Sequence, residues 1–239
     1  MKRNIFTTFF LTILFSGFSS FSFAQEGNNS VKFNLGTSFS KPGDELAKVA
    51  REGKSMQLSV SAEGARFFNY KKDSKLGFRI AAVVGYDNTH ILSSDAITQI
   101  KTSIPNIKGR IYPLCFKGSA FDFAGLVTKE KDLGIGFLDI PVYLILISTV
   151  NSLHFDYGVG FGKLKESSNI YDDSFVETTT NRTMNYFGWG FQPVIYNSES
   201  EKWSVNAMFD FGKFKWTNGN GNTSSFKMST VGFGAQYHF

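Results

Sequence analysis

Apolar and polar residues alternate with a period of two along most of this chain. In residues 153–161, for example, Leu, Phe, Tyr and Val occupy the odd positions, and His, Asp and Gly occupy the even ones. Successive side chains of a β-strand point to opposite faces, so this pattern predicts a strand with one apolar face. Eight segments show it: 31–39, 56–62, 76–86, 138–146, 153–161, 186–195, 203–211 and 231–239.

The composition of the second face distinguishes a membrane barrel from a soluble sandwich. A sandwich would carry many Lys and Glu on its water-exposed face, whereas the polar positions here are mainly Gly, Ser, Asn and Gln. Small polar groups suit a narrow lumen, and a face of Phe, Leu, Val, Ile and Trp suits lipid. No backbone donor stays unpaired in hydrocarbon, so the sheet must close. The sequence predicts an all-β, eight-stranded antiparallel transmembrane β-barrel.

The connections between these segments alternate long and short, as in outer-membrane barrels with long outer loops and short periplasmic turns. The longest spans residues 90–134 and is predicted as an outer loop. It contains two strand-like pieces, Ile97–Ile104 and Arg110–Phe116, which form either a hairpin above the membrane or two further strands, so ten strands are the competing count. Pro141 and Pro193 lie within predicted strands, where proline favours a local bulge.

The two ends of the chain carry export and assembly signals. Lys2 and Arg3 precede an apolar stretch that ends in Ser22-Phe-Ala24, the pattern of a cleaved signal peptide over residues 1–24. A membrane anchor is the alternative, although the apolar stretch is short for a spanning helix. Residues 25–239 then form the barrel. The last strand ends in Phe239, which resembles the signal that the outer-membrane assembly machinery reads.

Two short stretches resemble the PorT-type outer-membrane β-barrel family. Residues 137–144, FLDIPVYL, are similar to that family's Leu-x-Ile-Pro-Leu-x-Leu segment, and residues 155–162, FDYGVGFG, are similar to its next strand with a glycine-rich inner face. The long segment 90–134 departs from the compact family pattern. The resemblance implies an outer-membrane location in a Gram-negative-type envelope; some members are linked to protein secretion.

The charged residues on the inner face are predicted to form a structural ion-pair network, because an unpaired buried charge costs several kcal/mol. Its predicted members are Lys32, Arg79, Asp139, His154, Asp156, Asp210 and His238. A hydrolytic site at His154 and Asp156 is the alternative, but no serine is placed as a partnered nucleophile. The glycines at 158, 160 and 162 share one face and lack the strand-to-helix turn of a phosphate-binding loop.

Three aromatic residues are predicted to mark the two membrane interfaces: Trp203 and Tyr237 at one rim, and Trp216 at the other. The formal net charge of +5 is scattered, so nucleic acid is not expected as a partner. The lone Cys115 is interpreted as an inert thiol.

The predicted function is that of a non-enzymatic outer-membrane barrel without metal or cofactor, acting structurally or binding a partner through its outer loops. Its expected partners are outer-membrane lipid, the assembly machinery and a protein at the loops. The alternatives are a barrel that binds a small ligand or lipid, and a component linked to protein secretion.

Overall fold

A computed structural model describes residues 28–42, 50–51, 57–72, 74–93, 99–116, 151–170, 174–198, 202–217, 221 and 223–239. These residues form ten strands: β1 (Asn29–Pro42), β2 (Ala50–Arg51), β3 (Gln57–Asn69), β4 (Leu76–Ser93), β5 (Gln99–Phe116), β6 (His154–Ile170), β7 (Ser174–Phe191), β8 (Val194–Asn197), β9 (Trp203–Thr217) and β10 (Thr223–His238). All of their pairings are antiparallel.

Eight of these strands close into a barrel. The ring runs β1-β3-β4-β5-β6-β7-β9-β10, and β10 pairs with β1 to seal it. The short β2 pairs with the end of β4, and β8 continues the line of β7 along β9. The predicted all-β barrel and its count of eight strands are therefore confirmed.

The fourth strand of the ring is not the one predicted. β5 pairs with β4 on one side and β6 on the other. The outer loop predicted at 90–134 is therefore wrong over residues 90–93, which belong to β4, and over residues 99–116, which belong to β5. Of the two strand-like pieces recognised there, residues 99–104 and 110–116 belong to one barrel strand. The strand predicted at 138–146, with Pro141, lies outside the described residues, as does the predicted signal peptide.

β5 ends at the end of the barrel that carries both Asn29 and Phe239, here called the terminal end; the opposite end is the far end. Asn29 and Phe239 exchange backbone hydrogen bonds of 3.1 and 3.0 Å. At the same end, the Asn151 side chain accepts a 2.8 Å hydrogen bond from the Phe116 backbone N–H. The end of β5 and the start of β6 thus meet at the terminal end, opposite to the side predicted for the loop at 90–134.

The alternation fixes which side chains face inward. On β1, Phe33 and Leu35 are more than half exposed on the outside, whereas Lys32 and Asn34 are buried inside. Every strand of the ring has at least one large apolar side chain on the outside. Pro193 falls between β7 and β8, and the register shifts just after it, between Val194 and Tyr196, as expected for a bulge. Among the residues that the structure describes, no helix is both long and apolar enough to cross a membrane.

Candidate functional site

The interior of the barrel is the candidate site, and its terminal half is filled by a network of buried ionic groups around Arg110. Arg110 lies on β5 and is 3% exposed. Its Nε and one terminal nitrogen bind the two carboxylate oxygens of Asp156 on β6, both at 2.7 Å. The same terminal nitrogen donates to Asp210 on β9 at 3.0 Å, and the other binds Glu63 on β3 at 2.9 Å. One guanidinium therefore ties together four strands from around the ring.

A second cation, Lys32 on β1, joins this network beside Glu63, which it faces in the β1–β3 pairing. Its Nζ lies 3.7 Å from the Glu63 carboxylate and donates to the Gln192 side-chain oxygen at 2.7 Å. The Tyr112 hydroxyl donates to Glu63, with distances of 2.8 and 2.9 Å to its two oxygens. Glu63 thus contacts Lys32, Arg110 and Tyr112 at once, which compensates for the burial of its charge.

His154 and Asp210 complete the network at its β6–β9 side. The His154 Nε2 lies 3.3 Å from the Asp210 carboxylate without the alignment of a hydrogen bond, and its Nδ1 lies 3.0 Å from the Ser152 carbonyl oxygen. Ligand atoms of His154, Asp156 and Asp210 lie within 4.8 Å of one another, close enough to share a metal ion. Arg110 already binds both carboxylates, however, and a metal there would face its positive charge.

Arg79 packs against the network through an aromatic ring. Its guanidinium carbon lies 4.0 Å from the centre of the Tyr112 ring, a cation–π distance. The formal charges then balance, with three cations facing three carboxylates. The cations are Lys32, Arg79 and Arg110; the carboxylates belong to Glu63, Asp156 and Asp210.

A smaller ion pair lies on β4 and β5. The Asp87 carboxylate accepts hydrogen bonds from Ser59 at 2.5 Å and Asn106 at 2.8 Å, and it lies 3.5 Å from the Lys108 Nζ. That ammonium also lies 4.0 Å from the centre of the Tyr186 ring. This pair joins the charged half of the interior to the aromatic half.

The far half of the interior is filled by an apolar plug, made of Ile104, Met184, Tyr186, Phe214, Trp216, Phe226 and Met228, all buried. The rings of Tyr186 and Phe214 are 4.7 Å apart between centroids, and those of Phe214 and Phe226 are 5.2 Å apart. Gly188 and Gly212 face the Tyr186 ring, and a Cβ atom at either position would overlap it. Glycine on the inner face therefore makes room for the plug.

Little space remains between the network and the plug. A cavity of about 10 Å³ there, bordered by Arg110, Tyr186 and Met208 among others, has room for about one water molecule. The described interior is therefore packed rather than open.

Five of the seven residues predicted for the charge network lie in the terminal half of the lumen, namely Lys32, Arg79, His154, Asp156 and Asp210. His238 is half-buried at the terminal rim, opposite Ser30, and Asp139 lies outside the described residues. Sequence reasoning missed Glu63, Arg110, Tyr112 and Gln192 as members. Ser59, Ser61 and Glu63 occupy alternate positions that point inward, so extending the predicted strand by one residue would have identified Glu63.

The aromatic residues at the rims do not all lie as predicted. Trp203 and Tyr237 are adjacent at the terminal end, with ring centroids 4.7 Å apart, and Trp203 is 54% exposed on the outside. Trp216, predicted for the opposite interface, is 6% exposed and belongs to the plug. Trp216 lies an even number of residues from Asp210 and Gly212 on the same strand, so it points inward as they do.

Comparison with known proteins yields no family model and no curated protein that matches this sequence. Solved structures do align. The attachment invasion locus protein Ail of Yersinia pestis is 12% identical, with 89% of this chain and 100% of that chain covered and a TM-score of 0.45. Neisserial surface protein A is 8% identical over 88% and 97% of the two chains, with a TM-score of 0.40. A major outer membrane protein from Thermus thermophilus is 10% identical over 88% and 99%, also at 0.40. Because these TM-scores are all below 0.5, the fold is assigned from the closed ring of strand pairings in the chain itself.

Proposed function

We propose that this chain is a non-enzymatic outer-membrane β-barrel whose filled interior is a structural support. The proposal rests on a reversal of the burial seen in soluble proteins, with apolar side chains on the outside and charged ones inside. All eight strands of the ring present exposed large apolar side chains outward, while buried charges such as Lys32, Glu63 and Arg110 lie inside. A soluble protein rarely exposes so continuous an apolar surface. Lipid is the solvent that matches it.

The height of the apolar surface supports the same proposal. On β1, β10 and β9, the outward positions run from a row of Val31, Tyr237 and Trp203 to a row of Lys41, Lys227 and Lys213, ten residues further along each strand. Ten residues at about 3.3 Å each, on strands tilted by about 40°, rise by about 25 Å. This equals the apolar band of an outer-membrane barrel, roughly 25 Å tall.

The interior chemistry favours a structural role over catalysis. Both oxygens of Asp156 accept hydrogen bonds from Arg110, and Glu63 is contacted by two cations and a hydroxyl. Groups held in this way are not available as bases or nucleophiles toward a substrate. The cavity beside them has room for about one water molecule, which also argues against a ligand site among the described lumen residues.

A binding role at the far end is supported by the lengths of four neighbouring strands. β4, β5 and β7 have 18 residues each and β6 has 17, whereas about 9–11 tilted residues span a membrane. This wall extends beyond the apolar band at the far end. We propose that it presents the loops there to a protein partner, and that export by the N-terminal signal and assembly through Phe239 bring the barrel to the outer membrane. Membership of the PorT-type family, with its link to secretion, stays a proposal that rests on the two short sequence stretches.

The direct test is to express the full chain in a Gram-negative host and to follow its location and conductance. The expected protein sediments with outer membranes, needs detergent for extraction and shows heat-modifiable mobility on gels. In planar bilayers it gives no large, stable conductance, because the lumen is filled. Solubility without detergent would overturn the membrane proposal, and a large stable conductance would overturn the filled barrel.

A further inference from the structure

Three lysines from three neighbouring strands stand side by side on the outside of the barrel. In the register, Lys41 of β1 lies opposite Lys227 of β10, and Lys227 lies opposite Lys213 of β9. Lys215 lies two residues beyond Lys213, beside Ser225 and Asn185. We call these four residues the lysine row. Directly opposed residues of antiparallel strands have Cβ atoms about 5 Å apart, and like charges there are destabilising.

The position of the lysine row on the barrel is as informative as its charge. The rows below it toward the terminal end are mainly apolar, and the nearest consists of Phe39, Ser229 and Phe211. Lys41, Lys215 and Lys227 are exposed, and Lys213 is half-exposed. The lysine row therefore begins where the apolar band ends, at the depth of the lipid headgroups of the far leaflet.

The chemistry that fits such a row is a phosphate. Lysine ammonium groups are compact cations that bind phosphate as point charges, and a shared anion would relieve the repulsion between Lys213 and Lys227, which are directly opposed. A phosphate carried by a lipid would have its acyl chains against the apolar rows directly below. Clustered basic residues at a membrane surface are the usual recognition element for anionic lipids.

We propose that the lysine row is a binding site for phosphate-bearing lipid headgroups of the leaflet at the far end of the barrel. This proposal rests on the proposed membrane location. The site spans β9, β10 and β1, the strands that close the ring, so bound lipid would also bridge the closing seam.

The test measures lipid binding by native mass spectrometry, using the full-length folded barrel in neutral detergent. The probes are diphosphoryl lipid A, the same lipid without its phosphates, and inorganic phosphate. The variants are K213Q/K227Q, its charge-preserving counterpart K213R/K227R, and the control K71Q/K72Q. The control removes the same charge from exposed lysines in the turn between β3 and β4, at the terminal end.

Each basic residue near an anionic surface is worth roughly fivefold in affinity, so K213Q/K227Q should bind diphosphoryl lipid A about 25-fold more weakly than the unaltered chain. K213R/K227R and K71Q/K72Q should bind it nearly normally, and the dephosphorylated lipid should bind weakly throughout. Inorganic phosphate at millimolar concentration should not compete. Equal binding by K213Q/K227Q and the unaltered chain, an equal loss in K71Q/K72Q, or full competition by inorganic phosphate would each overturn the lipid site.

Heat-modifiable gel mobility and detergent extraction of each variant distinguish a failure of the lysine-row proposal from a failure of the membrane proposal. A barrel that is heat-modifiable and extracted only by detergent, yet shows no phosphate preference, contradicts the lysine row alone. A chain that is soluble without detergent contradicts the proposed location, and the lipid site with it.

Discussion

The two halves of the barrel interior are both filled by side chains, the terminal half by ionic groups and the far half by apolar ones. In the terminal half, Arg110 binds three carboxylates at 2.7–3.0 Å, and each group depends on partners from other strands. In the far half, the plug fills the lumen with stacked rings and methionines, such as Phe214 and Met184. Ion pairs in the first half are directional and fixed in number, whereas van der Waals packing in the second depends mainly on volume. The two halves should therefore tolerate substitution very differently.

The largest effect is expected from Arg110→Ala, which leaves Glu63, Asp156 and Asp210 without their shared cation. Removing one partner of a buried ion pair costs about 3–5 kcal/mol. The free energy of unfolding, measured by urea titration of the barrel in lipid vesicles, should fall by that amount. Arg66→Ala is the matched control, because Arg66 is exposed and its guanidinium carbon lies 5.4 Å from the Phe68 ring centre. Similar losses of unfolding free energy in both variants would contradict a special contribution of the network to stability.

A second pair of variants compares shape-preserving changes in the two halves. Asp156→Asn keeps the size of the side chain but turns an acceptor of two charged hydrogen bonds into a mixed donor and acceptor. Hydrogen bonds to charged groups contribute about 1.5–3 kcal/mol, and a loss in that range is expected in the same unfolding titration. Met184→Leu in the plug should cost less than about 1.5 kcal/mol. If the methionine substitution proved the more costly, the proposed contrast between the halves would be wrong.

A third pair of variants adds one methyl group to a glycine in each half. At Gly190 the new Cβ would lie 2.6 Å from an Asp210 carboxylate oxygen and 2.6 Å from a backbone carbonyl oxygen. Neither can move easily: Arg110 holds the Asp210 carboxylate through its other oxygen, and the β7–β9 pairing holds the backbone carbonyl. At Gly160 the new Cβ would meet the Ile104 branch methyl and the edge of the Phe214 ring, which are side-chain rather than backbone atoms.

Overpacking costs about 1–3 kcal/mol, and we expect Gly190→Ala near the top of that range and Gly160→Ala near the bottom. Unfolding midpoints of the two variants in parallel titrations provide the measurement. A reversed order would indicate that the plug is the more rigid half.

Most of the barrel could be predicted because lipid and lumen impose opposite chemistry on alternate residues. Seven of the eight strands of the ring were predicted on this basis, with the correct inward and outward parity. β5 was missed because its contrast is weak: Ile104 and Tyr112 point inward, while Pro105 and Gly109 take outward positions. Since β5 was assigned to a loop, Arg110 and Tyr112 were lost from the predicted network along with it.

The far half of the interior was harder to predict, because there the inner face is itself apolar. Phe214, Trp216 and Phe226 point inward, so the inner residues no longer differ in polarity from residues that face lipid. This explains why Trp216 was assigned to an interface. The inward position of Trp216 can be recognised only because it lies an even number of residues from Asp210 and Gly212, which point inward. This count is valid only if the strand continues from Asp210 to Trp216 without a break.

The three tryptophans can serve as depth probes of a barrel with lipid outside and a sealed interior. Trp189 and Trp203 are exposed on the outside at 45% and 54%, whereas Trp216 is 6% exposed within the plug. Three variants, each keeping one tryptophan and replacing the other two by phenylalanine, would be reconstituted in vesicles of brominated lipid. The fluorescence of Trp189 and Trp203 should be strongly quenched, and that of Trp216 should be quenched little. Equal quenching at all three positions, or a protected Trp203, would contradict this arrangement.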